Sequence, residues 1–172
     1  EALGTAHAIY CAKNILKGKV IVAFADTLFK ANFKLDTKQD GIVWVHKVKD
    51  PSAFGVVKMN SDNEIIDFIE KPTKFVSDLA IIGIYYFREG QKLRDEIRTL
   101  IENKVKDGGE YQLTRALGTM KEKGTRVVPG EVDDWLDCGN KQATVETHRA
   151  YFNFLKEKKI ISKKSKVVNS VI

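Results

Sequence analysis

Two stretches of this chain carry almost no side chain that prefers water: "VIVAFA" at 20–25 and "LAIIGIYYF" at 79–87. A continuous apolar run that closes on an acid, as "KVIVAFAD" does, suits a strand covered on both faces, typical of a parallel sheet between helices. The longer run reads as a buried strand. Neither approaches the roughly 20 residues that a membrane-spanning helix needs. Around them the pattern changes to helical spacing. Residues 5–17 place Ala8, Ile9, Ala12, Ile15 and Leu16 on one face, and Gly18 follows as a stop. "GIVWVHKV" at 41–48 predicts a further strand, with a helix between it and the first run. The segments 54–59 and 64–69 flank the turn "NSDN" and predict a hairpin. Helices are expected over 88–104, with Leu93, Ile97, Leu100 and Ile101 in register, over 111–123, and over 140–156. "TRVVPG" and "VDDWLDCG" predict short strands. Strand, helix, strand in this order specifies an α/β fold.

A chain of 172 residues has room for one domain with a real core. Its formal charge of +6 invites a nucleic-acid reading. The excess, however, lies in "KEKKIISKKSK" at 156–166, which holds six lysines and one glutamate. A nucleic-acid binder carries its charge on a folded face with aromatic or arginine interleaving, so neither nucleic acid nor a membrane is expected as a partner. Two cysteines, Cys11 and Cys138, form no metal-type or redox motif and suit a reducing, cytoplasmic setting. The histidines His7, His46 and His148 have no ligand spacing for zinc.

The residues with chemical potential stand at strand ends. Asp26 closes the first apolar run, where ligands gather in open α/β sheets. A carboxylate there is a natural Mg²⁺ ligand, or a cap for the turn that follows through Thr27; the strand alone leaves both open. Asp137 in "WLDCGN" is a second strand-end carboxylate. "EKP" at 70–72 offers Glu70 as an acceptor for hydroxyls and Lys71 as a point charge for phosphate. Pro72 biases Lys71 toward an extended backbone. Gly55 opens the hairpin where a ligand or another backbone can approach closely.

In order and spacing, "LGTAHA", "VIVAFAD", "FGVVKMNSDNEIIDFIEKP", "LAIIGIYYF", "GEYQLTRAL" and "WLDCGN" resemble the sugar-1-phosphate nucleotidyltransferases, or nucleotide-sugar pyrophosphorylases. The resemblance implies a Rossmann-like sheet flanked by helices, with an antiparallel hairpin forming the sugar-binding part. It implies that Gly4 meets the nucleotide base through its backbone, and that Asp26 and Asp137 hold Mg²⁺. Gly55 and Glu70 would hold sugar hydroxyls and Lys71 the sugar phosphate, with Glu110 and Thr114 beside them. "LAIIGIYYF" would line the sugar pocket partly by backbone. Asn140 stands where threonine is common in this family. The implied partners are a nucleoside triphosphate and a hexose 1-phosphate, first glucose 1-phosphate with UTP or dTTP, then mannose 1-phosphate with GTP.

The family begins with a strand and a glycine-rich loop that wraps the triphosphate, and nothing like that loop precedes "LGTAHA". The expectation is therefore a partial nucleotidyltransferase domain over 1–155, its first βα unit missing. The bare sheet edge this leaves implies a homo-oligomer or another form of edge protection. Residues 156–172 are expected to be a lysine-rich linker or tail, similar to the lead-in to a β-helix that some relatives carry. Two functions stay open: nucleotidyl transfer, and a non-catalytic sugar-phosphate-binding module of the same fold.

Overall fold

A computed structural model of the protein describes residues 2–32 and 35–155; the expected lysine-rich tail lies outside the described residues. In chain order the elements are α1 (Thr5–Tyr10), β1 (Val20–Ala23), β2 (Thr27–Lys30), β3 (Gly41–Lys47), β4 (Gly55–Met59), β5 (Ile65–Glu70) and β6 (Leu79–Phe87). There follow α2 (Gly90–Glu102), α3 (Leu113–Glu122), β7 (Val127–Glu131), β8 (Asp134–Asp137) and α4 (Lys141–Leu155).

The apolar run 79–87 is the axis of the molecule. As β6 it pairs with β3 along one edge, and with β4 and then β1 along the other. Its residues divide by alternation, as a strand's must. Ile81, Tyr85 and Phe87 join the core formed with α1, α2 and α3, whereas Ile82, Ile84 and Tyr86 join Ile42 and Trp44 on the opposite face. Every residue from Ala80 to Phe87 is buried, Gly83 included. Two-sided coverage is therefore the physical reason for the unbroken run. The helices supply the larger core with Leu93, Ile97 and Leu100 of α2 and Leu113, Ala116, Leu117 and Met120 of α3.

Three local expectations change. First, the sheet is mixed. Only β3 and β7 run parallel, and β1 pairs antiparallel with β6. The "VIVA" run is covered on one face only: Val20 and Val22 pack against the larger core, and Ile21, pointing the other way, is 61% exposed. Second, no helix forms between β1 and β3 among the described residues; the chain turns at once into β2, which pairs with the distant β8. Third, the helix expected over 5–17 stops at Tyr10, leaving Ile15 75% exposed while Leu16 is buried.

The segment between α2 and α3 is held by Asp107, whose carboxylate takes two bonds from Arg115, at 2.9 and 2.6 Å. Those bonds hold the Asp107 carboxyl below the usual carboxylate range. A depressed folded-state pKa stabilises the native state above the unfolded pKa and is lost as pH falls through the folded value. Arg115→Ala should therefore cost less than about 1 kcal/mol at pH 7, because the pair is partly solvated, and in urea melts the difference from the unaltered protein should shrink as pH falls below the ordinary carboxylate range.

Candidate active site

Four segments far apart in sequence close around a cavity of about 360 Å³ above β6. The β1–β2 connection contributes Phe24, Asp26 and Thr27. The hairpin contributes Phe54, Gly55, Glu70 and Lys71. The approach to α3 contributes Glu110, Gln112, Leu113 and Thr114, and the end of β8 contributes Trp135, Asp137, Gly139 and Asn140. The floor is β6 itself, through Ile81, Ile82, Gly83 and Tyr85. A cavity of this volume is in the range that holds small-molecule ligands.

Asp26 and Asp137 meet at one end of it. Thr27 lies opposite Asp137 in the β2–β8 ladder, and the Cys138 N–H donates to the Asp26 carbonyl at 2.8 Å. The connection is tied to the floor by the Thr27 hydroxyl, which donates to Ile82 O at 2.7 Å, and by Phe24 N–H to Gly83 O at 2.9 Å. A Cβ placed on Gly139 would stand 3.1 Å from Asp137 Oδ1 and 3.3 Å from Asp26 Oδ2. The two carboxylates thus face one small gap that glycine leaves open. Asp26 also stands in the tight turn that leads to Thr27, closed by the Thr27 N–H donating to Phe24 O at 3.3 Å. Among the described residues no third His, Cys, Asp or Glu joins the pair. Two hard oxygen donors fit Mg²⁺, which keeps water and phosphate as its other ligands.

At the other end, Gly55 and Glu70 are cross-strand partners. Glu70 Oε2 accepts from Thr114 Oγ1 at 3.0 Å. A Gly55 Cβ would lie 3.0 Å from Thr114 Cγ2 and 3.1 Å from Glu70 Oε2, so the close approach expected of Gly55 is made by these two side chains. Burial, and then the charge of Glu70, push the Tyr85 hydroxyl well above the ordinary tyrosine range. The extended backbone expected of Lys71 is not formed. Its backbone is left-handed, φ 41°, rather than extended. Its N–H donates to Phe54 O at 3.1 Å, one step past the β4–β5 ladder. That tertiary bond outweighs the local bias from Pro72, and a strained backbone of this kind is characteristic of functional sites.

Glu110 lines the cavity and accepts from Gln112 Nε2 at 3.0 Å, while Gln112 Oε1 accepts from Thr5 Oγ1 at 3.2 Å. Gly4 does not line the cavity; its neighbour Thr5 does. Gly4 instead packs on the backbone of Tyr111, between the bonds Tyr111 N–H to Leu3 O and Ala6 N–H to Tyr111 O. Asn140 accepts from Ala143 N–H at 2.9 Å and so caps α4. Asparagine and threonine both serve at that position, which accounts for the departure from the family pattern.

Sequence reasoning passed over Trp135, Gln112 and Thr5. Trp135 packs edge-on against Phe54 and His46, with ring centroids at 5.1 and 6.3 Å. It stands two residues before Asp137 on one strand, and period two puts both on one face; that signal was available. Gln112 and Thr5 enter through contacts over more than a hundred residues, which leave no local pattern.

The nucleotidyl transferase family model matches residues 1–153. The chain is 33% identical over 175 residues to the bifunctional protein GlmU of Methanococcus maripaludis, across 99% of this chain and 40% of the relative. It is 30% identical over 157 residues to a glucose-1-phosphate thymidylyltransferase of Streptomyces antibioticus, across 86% of this chain and 42% of that protein. The chain therefore spans well under half the length of these curated relatives. Among solved structures, a UDP-glucose pyrophosphorylase complexed with UDP-glucose superposes with a TM-score of 0.73 at 26% identity, over 90% of this chain and 64% of the other. The chain belongs to the nucleotidyl transferase family.

Proposed function

We propose that this cavity binds a hexose 1-phosphate and serves nucleotidyl transfer to it from a nucleoside triphosphate, with glucose 1-phosphate and UTP or dTTP as the first pair. The observation that carries the reading is that two sets of side chains line one cavity. Asp26 and Asp137 face the gap at Gly139, and Glu70 with Lys71 offers a set suited to a phosphorylated sugar. The names of the relatives, a glucose-1-phosphate thymidylyltransferase and a UDP-glucose pyrophosphorylase, support the choice of sugar and base.

In the proposed reaction a phosphate oxygen of the sugar attacks the α-phosphorus of the triphosphate. The bond from that phosphorus to the pyrophosphate oxygen breaks, and pyrophosphate leaves. No proton transfer and no covalent intermediate are required. Asp26 and Asp137 would hold Mg²⁺, which when bound neutralises charge at the α-phosphate. Lys71 binds the attacking phosphate and shields it from the incoming triphosphate. Glu70 and the backbone of β6 orient the sugar, so that alignment replaces a bimolecular encounter.

Calorimetry with glucose 1-phosphate, followed by a pyrophosphate-release assay with each triphosphate and Mg²⁺, tests this. Lys71→Ala should weaken glucose 1-phosphate binding roughly thirtyfold, the value of a charged hydrogen bond. No binding by the unaltered protein would sink the proposal. Binding without pyrophosphate release from any pair would leave sugar-phosphate recognition without transfer.

A further inference from the structure

We propose that Thr114 is a positioning residue that holds Glu70 in its ligand-facing orientation; the inference rests on the proposed reading of Glu70 as the sugar-hydroxyl acceptor. Glu70 stands in a wall between two cavities. One is the cavity above β6. The other, about 350 Å³, lies behind it between β5 and α3 and is bordered by Asp67, Asp107, Arg115 and Thr119. A glutamate side chain between two solvent-accessible spaces has two ways to turn, and holding it in one costs rotamer freedom.

Thr114 borders both cavities, and its bond holds the Glu70 carboxylate beside Gly55, which borders only the cavity above β6. Thr114 is 6% exposed and sits in the first turn of α3, where the helix dipole favours a negative charge. Its hydroxyl donates to Glu70 Oε2 at 3.0 Å, and a Cβ on Gly55 would stand 3.0 Å from Thr114 Cγ2 and 3.1 Å from Glu70 Oε2, so the pair is packed against that glycine. With Oε2 committed to Thr114, the bond leaves Oε1 as the oxygen available to a ligand. Arg115, the cation that borders the rear cavity, is already engaged by Asp107 and does not compete for Glu70. Such preorganisation removes an ordering cost that ligand binding would otherwise carry.

The test compares Thr114→Val, Thr114→Ser and the unaltered protein, with glucose 1-phosphate by calorimetry and inorganic phosphate by phosphorus NMR titration. Valine keeps the shape and removes the donor. Thr114→Val should weaken glucose 1-phosphate roughly tenfold and leave inorganic phosphate, which needs Lys71 and not Glu70, unchanged. Thr114→Ser should recover the affinity to within about twofold. Equal affinity of Thr114→Val for glucose 1-phosphate overturns the role of Thr114 alone, and so does an equal loss for both ligands, which marks a general loss of structure. Failure of the unaltered protein to bind glucose 1-phosphate overturns the reading of the site itself. If Thr114→Val does not fold, Thr114→Ala decides, because it removes the same hydroxyl without adding bulk and should give the same selective loss.

Discussion

On the proposed function, Asp137→Asn is expected to lower metal-dependent turnover by about a thousandfold, corresponding to the several kcal/mol that a Lewis-acid metal supplies at a reacting phosphate. It should also weaken Mn²⁺ binding, read by electron paramagnetic resonance, by more than tenfold. The fold should survive. Asparagine keeps an oxygen for the Gly139 N–H, which Asp137 Oδ1 accepts at 2.8 Å, and the ladder to Thr27 is made by backbone. Asp26→Asn should act alike, since both carboxylates face the gap beside Gly139. Residues that act as one unit are not additive, so the double variant should lose little beyond either single one. Unchanged Mn²⁺ affinity in both single variants would remove the metal from this pair.

Gly4→Ala should cost about 3–4 kcal/mol of stability, a large share of the roughly 5–15 kcal/mol typical of a domain. Two effects combine. Gly4 has φ +100°, which an L side chain tolerates only under strain of about 1–3 kcal/mol. An alanine Cβ would also stand 2.6 Å from Tyr111 O and 2.8 Å from Tyr111 N, both backbone atoms with no rotamer to yield. Overpacking of that kind costs about 1–3 kcal/mol more. Gly124→Ala is the control. Its φ is +90°, yet nothing lies within 4 Å of its Cβ position, so it should pay the strain alone, about 1–2 kcal/mol. Urea denaturation midpoints compare the two. Equal losses would show that the Tyr111 backbone is not what demands glycine at position 4.

The sequence pattern reported the burial of β6, α2 and α3, missed that of β1 and Ile15, and reported pairing poorly. The run at 79–87 is buried on both faces as its composition demanded, and α2 and α3 carry their apolar residues at helical spacing toward one core. Alternation and periodicity are local properties, set by which side of a segment meets water. The direction of β1, the replacement of an expected helix by β2, and the early stop of α1 were not legible. The first two depend on a partner distant in sequence: β6 for β1 and β8 for β2.

The site divides in the same way. Residue type and strand-end placement marked Asp26, Asp137, Glu70, Lys71 and Gly55 before any coordinates, because strand ends are where an α/β sheet exposes side chains to a ligand. That Asp26 and Asp137 share a gap, that Thr114 reaches Glu70, and that Lys71 turns left-handed against Pro72 were decided only by the tertiary structure. A side chain's identity is a property of one position. A shared gap or a second hydrogen bond is a property of two segments brought together by the whole core, and no local preference encodes the distance between them.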